Sequence, residues 1–178
     1  MMVQADMKTL ILGLGNPILT DDGVGVLVAE KVRASLPPDS PVDITEVSVG
    51  GLTLMETMIG YDRVILIDAI QQPGATPGSI RRMTLEDLRS ISPTQHSASP
   101  HDASLVTALQ TGQRMGLSLP GKITIFAVQV ENVTDFSEQP TPAVAAAIPK
   151  VTKAVLAEIQ SNGSKIEMER IQNHIRGG

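Results

Sequence analysis

Apolar positions along this chain follow two rhythms that alternate. Thr9 to Leu14 (TLILGL), Arg63 to Ile67 (RVILI) and Lys122 to Gln129 (KITIFAVQ) are short runs dominated by apolar residues. They have the length of strands buried on both faces. Asp22 to Leu36 instead carries Val24, Leu27, Val28 and Val32 at helical spacing, and Pro37-Pro38 stops it. Val42 to Val49 alternates Val42, Ile44, Glu46 and Ser48 as a half-buried strand does, and Gly50-Gly51 leads into a short helix over Leu52 to Ile59. The Pro/Gly-rich stretch Gln71 to Ser79 is a turn. Ile80 to Met83 then reads as a short edge strand, with a brief helix near Leu85 to Leu88. Ser90 to Pro100 is Ser/Pro-rich and has no periodicity, and a helix follows from about His101 to Met115, with Ser99 and Pro100 at its start. Thr141-Pro142 opens the last main helix, with Val144, Ile148, Val151, Val155 and Ile159 at helical spacing. Pro149 removes one backbone hydrogen bond there, so a kink or break is expected.

Strands alternating with helices are built from βαβ units. The expected fold class is therefore α/β: a three-layer α/β/α sandwich around a mostly parallel twisted sheet, with strand order like 2-1-3-4-5 and a short antiparallel edge strand. Residues 1-160 are read as one domain and 161-178 as a polar C-terminal tail. In that tail Ser164-x-x-Glu167 forms a capping box ahead of Met168, Ile171 and Ile175, as a short docking helix or a frayed end would.

Composition narrows the chemistry. A chain of 178 residues is long enough to bury roughly 70% of its unfolded surface without staples. Lys and Arg total 14 against 19 Asp and Glu, a formal charge of -5, which argues against nucleic acid as the main partner. Tyr61, Phe126 and Phe136 are its only aromatic residues, too few for a base-stacking platform. Cysteine is absent, so disulfides, thiolate nucleophiles and cysteine-held metals are excluded. The N-terminus lacks the basic region of a signal peptide, and no apolar run approaches the roughly 20 residues that span a bilayer. The expectation is a cytoplasmic protein with no membrane partner.

Gly13-Leu14-Gly15-Asn16 follows a buried strand and precedes a helix, where dinucleotide folds place phosphate-binding glycines. The third glycine of G-x-G-x-x-G is replaced by Ile18, and Asp21 and Asp22 would repel a phosphate at the helix start. Asp21 suits a helix cap, which leaves the second acid unexplained. Asp68 directly follows a buried apolar run, where a carboxylate is costly unless it is paired or reaches a cleft. In a 2-1-3 sheet the carboxyl ends of strands one and three flank the topological switch point, and Asp22 and Asp68 would both open onto it. His101 starts a helix in Ser99-Pro100-His101-Asp102, whereas His96 and His174 read as surface residues. The segment HSASPH is not H-E-x-x-H, and no G-x-S-x-G elbow is present. Two carboxylates and one imidazole in a cleft suit a borderline divalent metal such as nickel or zinc.

LILGLGNPILTDDGVGVLVAEKV resembles the N-terminal signature of the hydrogenase maturation endopeptidases. VILIDAI and SPHDASLVTAL are similar to that family's second and third signature segments, in the same order. KITIFAVQVENV and TPAVAAAI resemble its last strand and final helix, so the likeness runs from about Lys8 to Ile159. The resemblance implies an α/β/α sandwich and an endopeptidase that removes a C-terminal extension from a nickel–iron hydrogenase large-subunit precursor after nickel insertion. It also implies that two acids and a histidine contact the metal. By motif position these are Asp22, Asp68 and His101, which serve as both the catalytic and the metal-contacting set. Nickel is implied as the metal, carried by the substrate, and zinc or cadmium is expected to take the same ligands in crystals. A reading of another class is a non-enzymatic metal- or nucleotide-binding module of the same fold. Substituting Asp22 or Asp68 separates the two, because only a peptidase would lose processing while still binding substrate.

Overall fold

A computed structural model describes residues 7–48, 50–90 and 102–176, excluding the side chains of 102–104 and 162–176. Five strands form one sheet. The central strand β1 (Thr9–Leu14) is flanked by β2 (Val42–Val47) and β3 (Arg63–Ile70), both parallel to it. The edge strand β4 (Ile80–Thr84) runs antiparallel to β5 (Lys122–Gln129), which lies parallel to β3. The sheet order is therefore β2-β1-β3-β5-β4.

The α/β class, the 2-1-3 half and the short antiparallel edge strand agree with the sequence pattern. The last two strands take the order 5-4, and side-chain burial explains it. β5 is buried from Thr124 to Gln129, as a strand covered on both faces must be, whereas β4 (IRRMT) buries only Met83. β3 also runs on past Ile67 to Ile70, because β5 keeps pairing with it after β1 has ended at Gly13↔Ile67.

Side-chain alternation splits the core in two. Leu10, Leu12, Leu14, Val64 and Leu66 face α2 (Gly51–Thr57), α3 (Leu85–Ser90) and α4 (Asp102–Arg114). Ile11, Ile65, Ile67, Phe126 and Val128 face α1 (Val24–Ser35) and α5 (Pro142–Arg176). The start of α1 lies hard against the sheet. A Cβ on Gly25 would collide with the carbonyl oxygens of Leu14 and Ile67, so glycine is required there for close approach. α5 continues through Pro149 as one helix, and its backbone stays helical to Arg176. Gly163 lies inside this extension at a cost of about 1 kcal/mol relative to alanine, without ending the helix.

At the amino edge of the sheet, Arg63 is 1% exposed and donates 2.8 Å hydrogen bonds to both the carbonyl and the Oε1 of Glu158 in α5. Arg82 of β4 joins the same carboxylate through Nε at 2.9 Å, and Lys122 Nζ lies 3.6 Å from it. These partners, Arg82 foremost and Arg63 after it, hold the Glu158 carboxyl at a pKa of about 2 despite its partial desolvation. The network clamps α5 across β3, β4 and β5.

Candidate active site

The loop after β1 is shaped by one glycine. Gly15 has φ +127°, and a Cβ there would collide with the carbonyl oxygen of Asp22, so the chain can fold back only with glycine at this position. The Gly15 N–H donates to the Val47 carbonyl at 3.1 Å, which ties the loop to the end of β2. The Asn16 N–H donates to Asp22 Oδ2 at 2.7 Å and fixes that carboxylate over the end of β1. Asp22 Oδ1 accepts no hydrogen bond among the described residues. A 3-10 turn, Thr20–Gly23, carries both acids and packs against β3.

Asp21 is fully buried and does not cap α1, whose N-cap residue, Gly23, has no side-chain bond. It reaches instead to the segment between β5 and α5. Its carboxylate accepts from the N–H groups of Glu131 (3.2 Å), Asn132 (3.1 Å) and Thr141 (2.7 Å), and from the Thr141 hydroxyl (3.0 Å). Thr141 immediately precedes α5, so Asp21 satisfies an amide at that helix's positive end. The sequence suggested a local cap; the true partners lie more than a hundred residues away, where no local spacing could show them.

Asp68 sits in β3 one residue past the last pair with β1 and opposite Ala127 of β5. It is 3% exposed, and its Oδ1 accepts the N–H of Ala69 at 2.8 Å. By alternation it shares the sheet face of Leu66 and Ile70, the side covered by α4. The 3-10 turn bearing Asp22 thus lies against the strand bearing Asp68, at the carboxyl edge where ligands of doubly wound sheets bind.

His101 and His96 lie outside the described residues, as does the side chain of His174. The helix after His101 can be placed from its other end. α4 ends at Arg114, and the next segment returns to the amino edge, where the Gly60 N–H meets the Ser118 carbonyl and the Gly121 N–H meets the Asp62 carbonyl. Its 13 residues rise about 20 Å, so its first residue, Asp102, lies toward the carboxyl edge on the face of Asp68. Among the described residues no three His, Asp or Glu side chains are grouped to hold a metal, and the two acids form the described part of the expected set. A groove of about 390 Å³ between α1 and α5, lined by Lys31, Ser35, Pro149, Thr152 and Lys153, contains neither acid.

Residues 26–158 match the family model described as HycI, hydrogenase maturation protease. That span includes Asp68 and begins after Asp22. The chain is 30% identical over 157 residues to the hydrogenase 2 maturation protease of Escherichia coli K12, covering 88% of this chain and 93% of that one. It is 25% identical over 159 residues to the hydrogenase expression/formation protein HupD of Rhodobacter capsulatus, covering 89% of this chain and 74% of that protein. The solved structure of the hydrogenase maturating endopeptidase HybD from E. coli superposes with a TM-score of 0.75 at 30% identity, covering 88% of this chain and 94% of that one. The [NiFe] hydrogenase maturation protease HybD from Thermococcus kodakarensis shares the fold at a TM-score of 0.67 and 21% identity, covering 85% of this chain and 98% of that one.

Proposed function

This chain belongs to the hydrogenase maturation protease family and is a protease; from that premise we propose that it removes the C-terminal extension of a nickel–iron hydrogenase large-subunit precursor after nickel insertion. The reading is supported by the turn that bears Asp22 lying against β3, the strand that bears Asp68, where the carboxyl ends of β1 and β3 are neighbours. The proposed third member is His101, one residue before α4.

Nickel is part of the substrate in this reading. When held by the precursor, it supplies polarisation of the scissile carbonyl or a lowered pKa for a bound water. The chain contributes position and charge. The Asn16 N–H fixes one oxygen of Asp22 and leaves Oδ1 to face the precursor. The Ala69 N–H donates to Oδ1 of Asp68 and sets the orientation of that carboxylate near the end of β3. Two carboxylates and an imidazole are sparse, so the isolated protein is expected to hold nickel weakly, with zinc or cadmium entering at high concentration. With no cysteine, it does not compete with substrate thiolates for the metal. The proposed compartment is the cytoplasm; among the described residues no helix is long and apolar enough to cross a membrane.

The test is incubation of chelator-stripped protein with nickel-loaded and apo precursor, followed by intact mass. Loss of the extension from the loaded form alone is expected. Equal cleavage of both would remove metal recognition from the account.

A further inference from the structure

Of the two phenylalanines, Phe126 is 3% exposed and belongs to the core, whereas Phe136 is 82% exposed. Ile18, 47% exposed, is held next to it by backbone pairing. The Ser137 N–H donates to the Ile18 carbonyl at 3.0 Å, and the Thr20 N–H donates to the Ser137 carbonyl at 2.9 Å.

A single apolar residue at a surface needs no explanation, but these two stand on a heavily braced frame. Asn132 Oδ1 accepts from the N–H groups of Thr134 (3.2 Å) and Asp135 (3.1 Å), and its amide donates to Asp135 Oδ2 at 2.8 Å. The Thr20 hydroxyl donates to the Asp135 carbonyl at 2.6 Å from a backbone at φ +42°, an uncommon conformation for a non-glycine residue. Buried Asp21 fastens the same two segments from below. A side chain presented this rigidly loses little freedom when a partner covers it. The turn that follows Ile18 also carries Asp22, so the patch is continuous with the site proposed above.

We propose that Ile18 and Phe136 form an apolar docking rim that receives an apolar side chain of the precursor polypeptide beside the bond to be cut. This rests on the endopeptidase reading. Its size favours a polypeptide segment over a second copy of this chain. A phenylalanine offers about 150–250 Å² of surface, enough for one or two partner side chains and far below the roughly 1,200–2,000 Å² of a stable protein interface. A second copy seated here would also cover the turn that bears Asp22.

Steady-state cleavage of nickel-loaded precursor from the source organism tests it. Phe136→Ala should raise KM about tenfold, the scale of one truncated anchor side chain, with kcat within about twofold and Tm unchanged. Phe136→Leu should recover most of the loss. Met115→Ala, which removes another exposed side chain (69%) just beyond the amino-edge end of α4, should change nothing. Precursor binding is followed in parallel by biolayer interferometry on Asp68→Asn protein, with and without Phe136→Ala. Unchanged KM in Phe136→Ala, or a fall confined to kcat, overturns the rim and leaves the endopeptidase reading intact. If the unsubstituted protein fails to cleave the precursor yet Phe136→Ala weakens binding about tenfold, the rim stands and the endopeptidase reading falls.

Discussion

At the amino edge of the sheet, Arg63 and Glu158 meet as ions with Arg82 and Lys122 around them, whereas at the carboxyl edge Asp21 and Asp22 are held by N–H and O–H groups that carry no charge. Charge is compensated at the first edge, and the result is a clamp. At the second, uncharged donors fix the geometry of Asp21 and Asp22 without supplying a counter-charge. A cation brought by a partner would find its attraction there. One sheet thus keeps a brace and a site apart by the kind of partner each acid has.

The largest expected effect lies at the carboxyl edge and spares stability. Asp22→Asn and Asp68→Asn should each lower processing of nickel-loaded precursor by at least about a thousandfold, roughly 4 kcal/mol of transition-state stabilisation. Their unfolding midpoints in urea should stay close to that of the unsubstituted protein. His101→Ala should be equally inactive, whereas His96→Ala and His174→Ala should process normally. If His96→Ala were the inactive variant, the motif register across the Ser-rich segment would be wrong.

Next in size is the clamp. Glu158→Ala strands the buried Arg63 guanidinium and should cost about 3–5 kcal/mol of stability, read from urea unfolding. Processing by the fraction that remains folded should be normal. A comparable loss of stability in Asp68→Asn would erase the contrast between the edges.

Asp21→Ala is expected to fall between the two regions. Three N–H donors and one hydroxyl lose their acceptor, so about 3 kcal/mol should be lost. The loop carrying Asp22 should loosen as well, with a partial fall in processing measured at a temperature where the variant is folded.

A smaller effect concerns acid. The folded-state pKa of Glu158 is depressed to about 2 from 4.5, so its contribution is complete above about pH 5 and is lost as pH falls toward 2. Glu158→Gln should flatten that part of the stability profile. An unchanged slope between pH 5 and 2 would mean that other carboxylates govern acid unfolding.

Much of this architecture is legible in the sequence because both-face burial demands continuous apolar runs. TLILGL, RVILI and KITIFAVQ give the central strands; Asp68 stands out as an acid placed directly after such a run, and Asp22 as a second acid in the loop between the first strand and its helix. Less is legible where pairing is distant. Arg63 reads as the polar start of a strand until Glu158, 95 residues on, reaches it from α5. Asp21 looks like a cap for the next helix, yet serves the start of α5. The edge character of β4 is legible in Arg81 and Arg82, whereas its pairing with β5, some forty residues later in the chain, is a distant contact that local spacing does not show. The helical spacing of Met168, Ile171 and Ile175 is legible beyond Ile159, whereas the continuity of that stretch with α5 is not, because Gly163 and the capping box at Ser164 read as a new start.

The most direct test of the contrast between the two edges is an intact-mass time course of nickel-loaded precursor with Asp68→Asn and Glu158→Gln protein, at a temperature where both are folded. The expected result is an uncut precursor with Asp68→Asn and processing at the unsubstituted rate with Glu158→Gln. Normal processing by Asp68→Asn, or its loss in folded Glu158→Gln, would contradict the assignment of catalysis to the carboxyl edge.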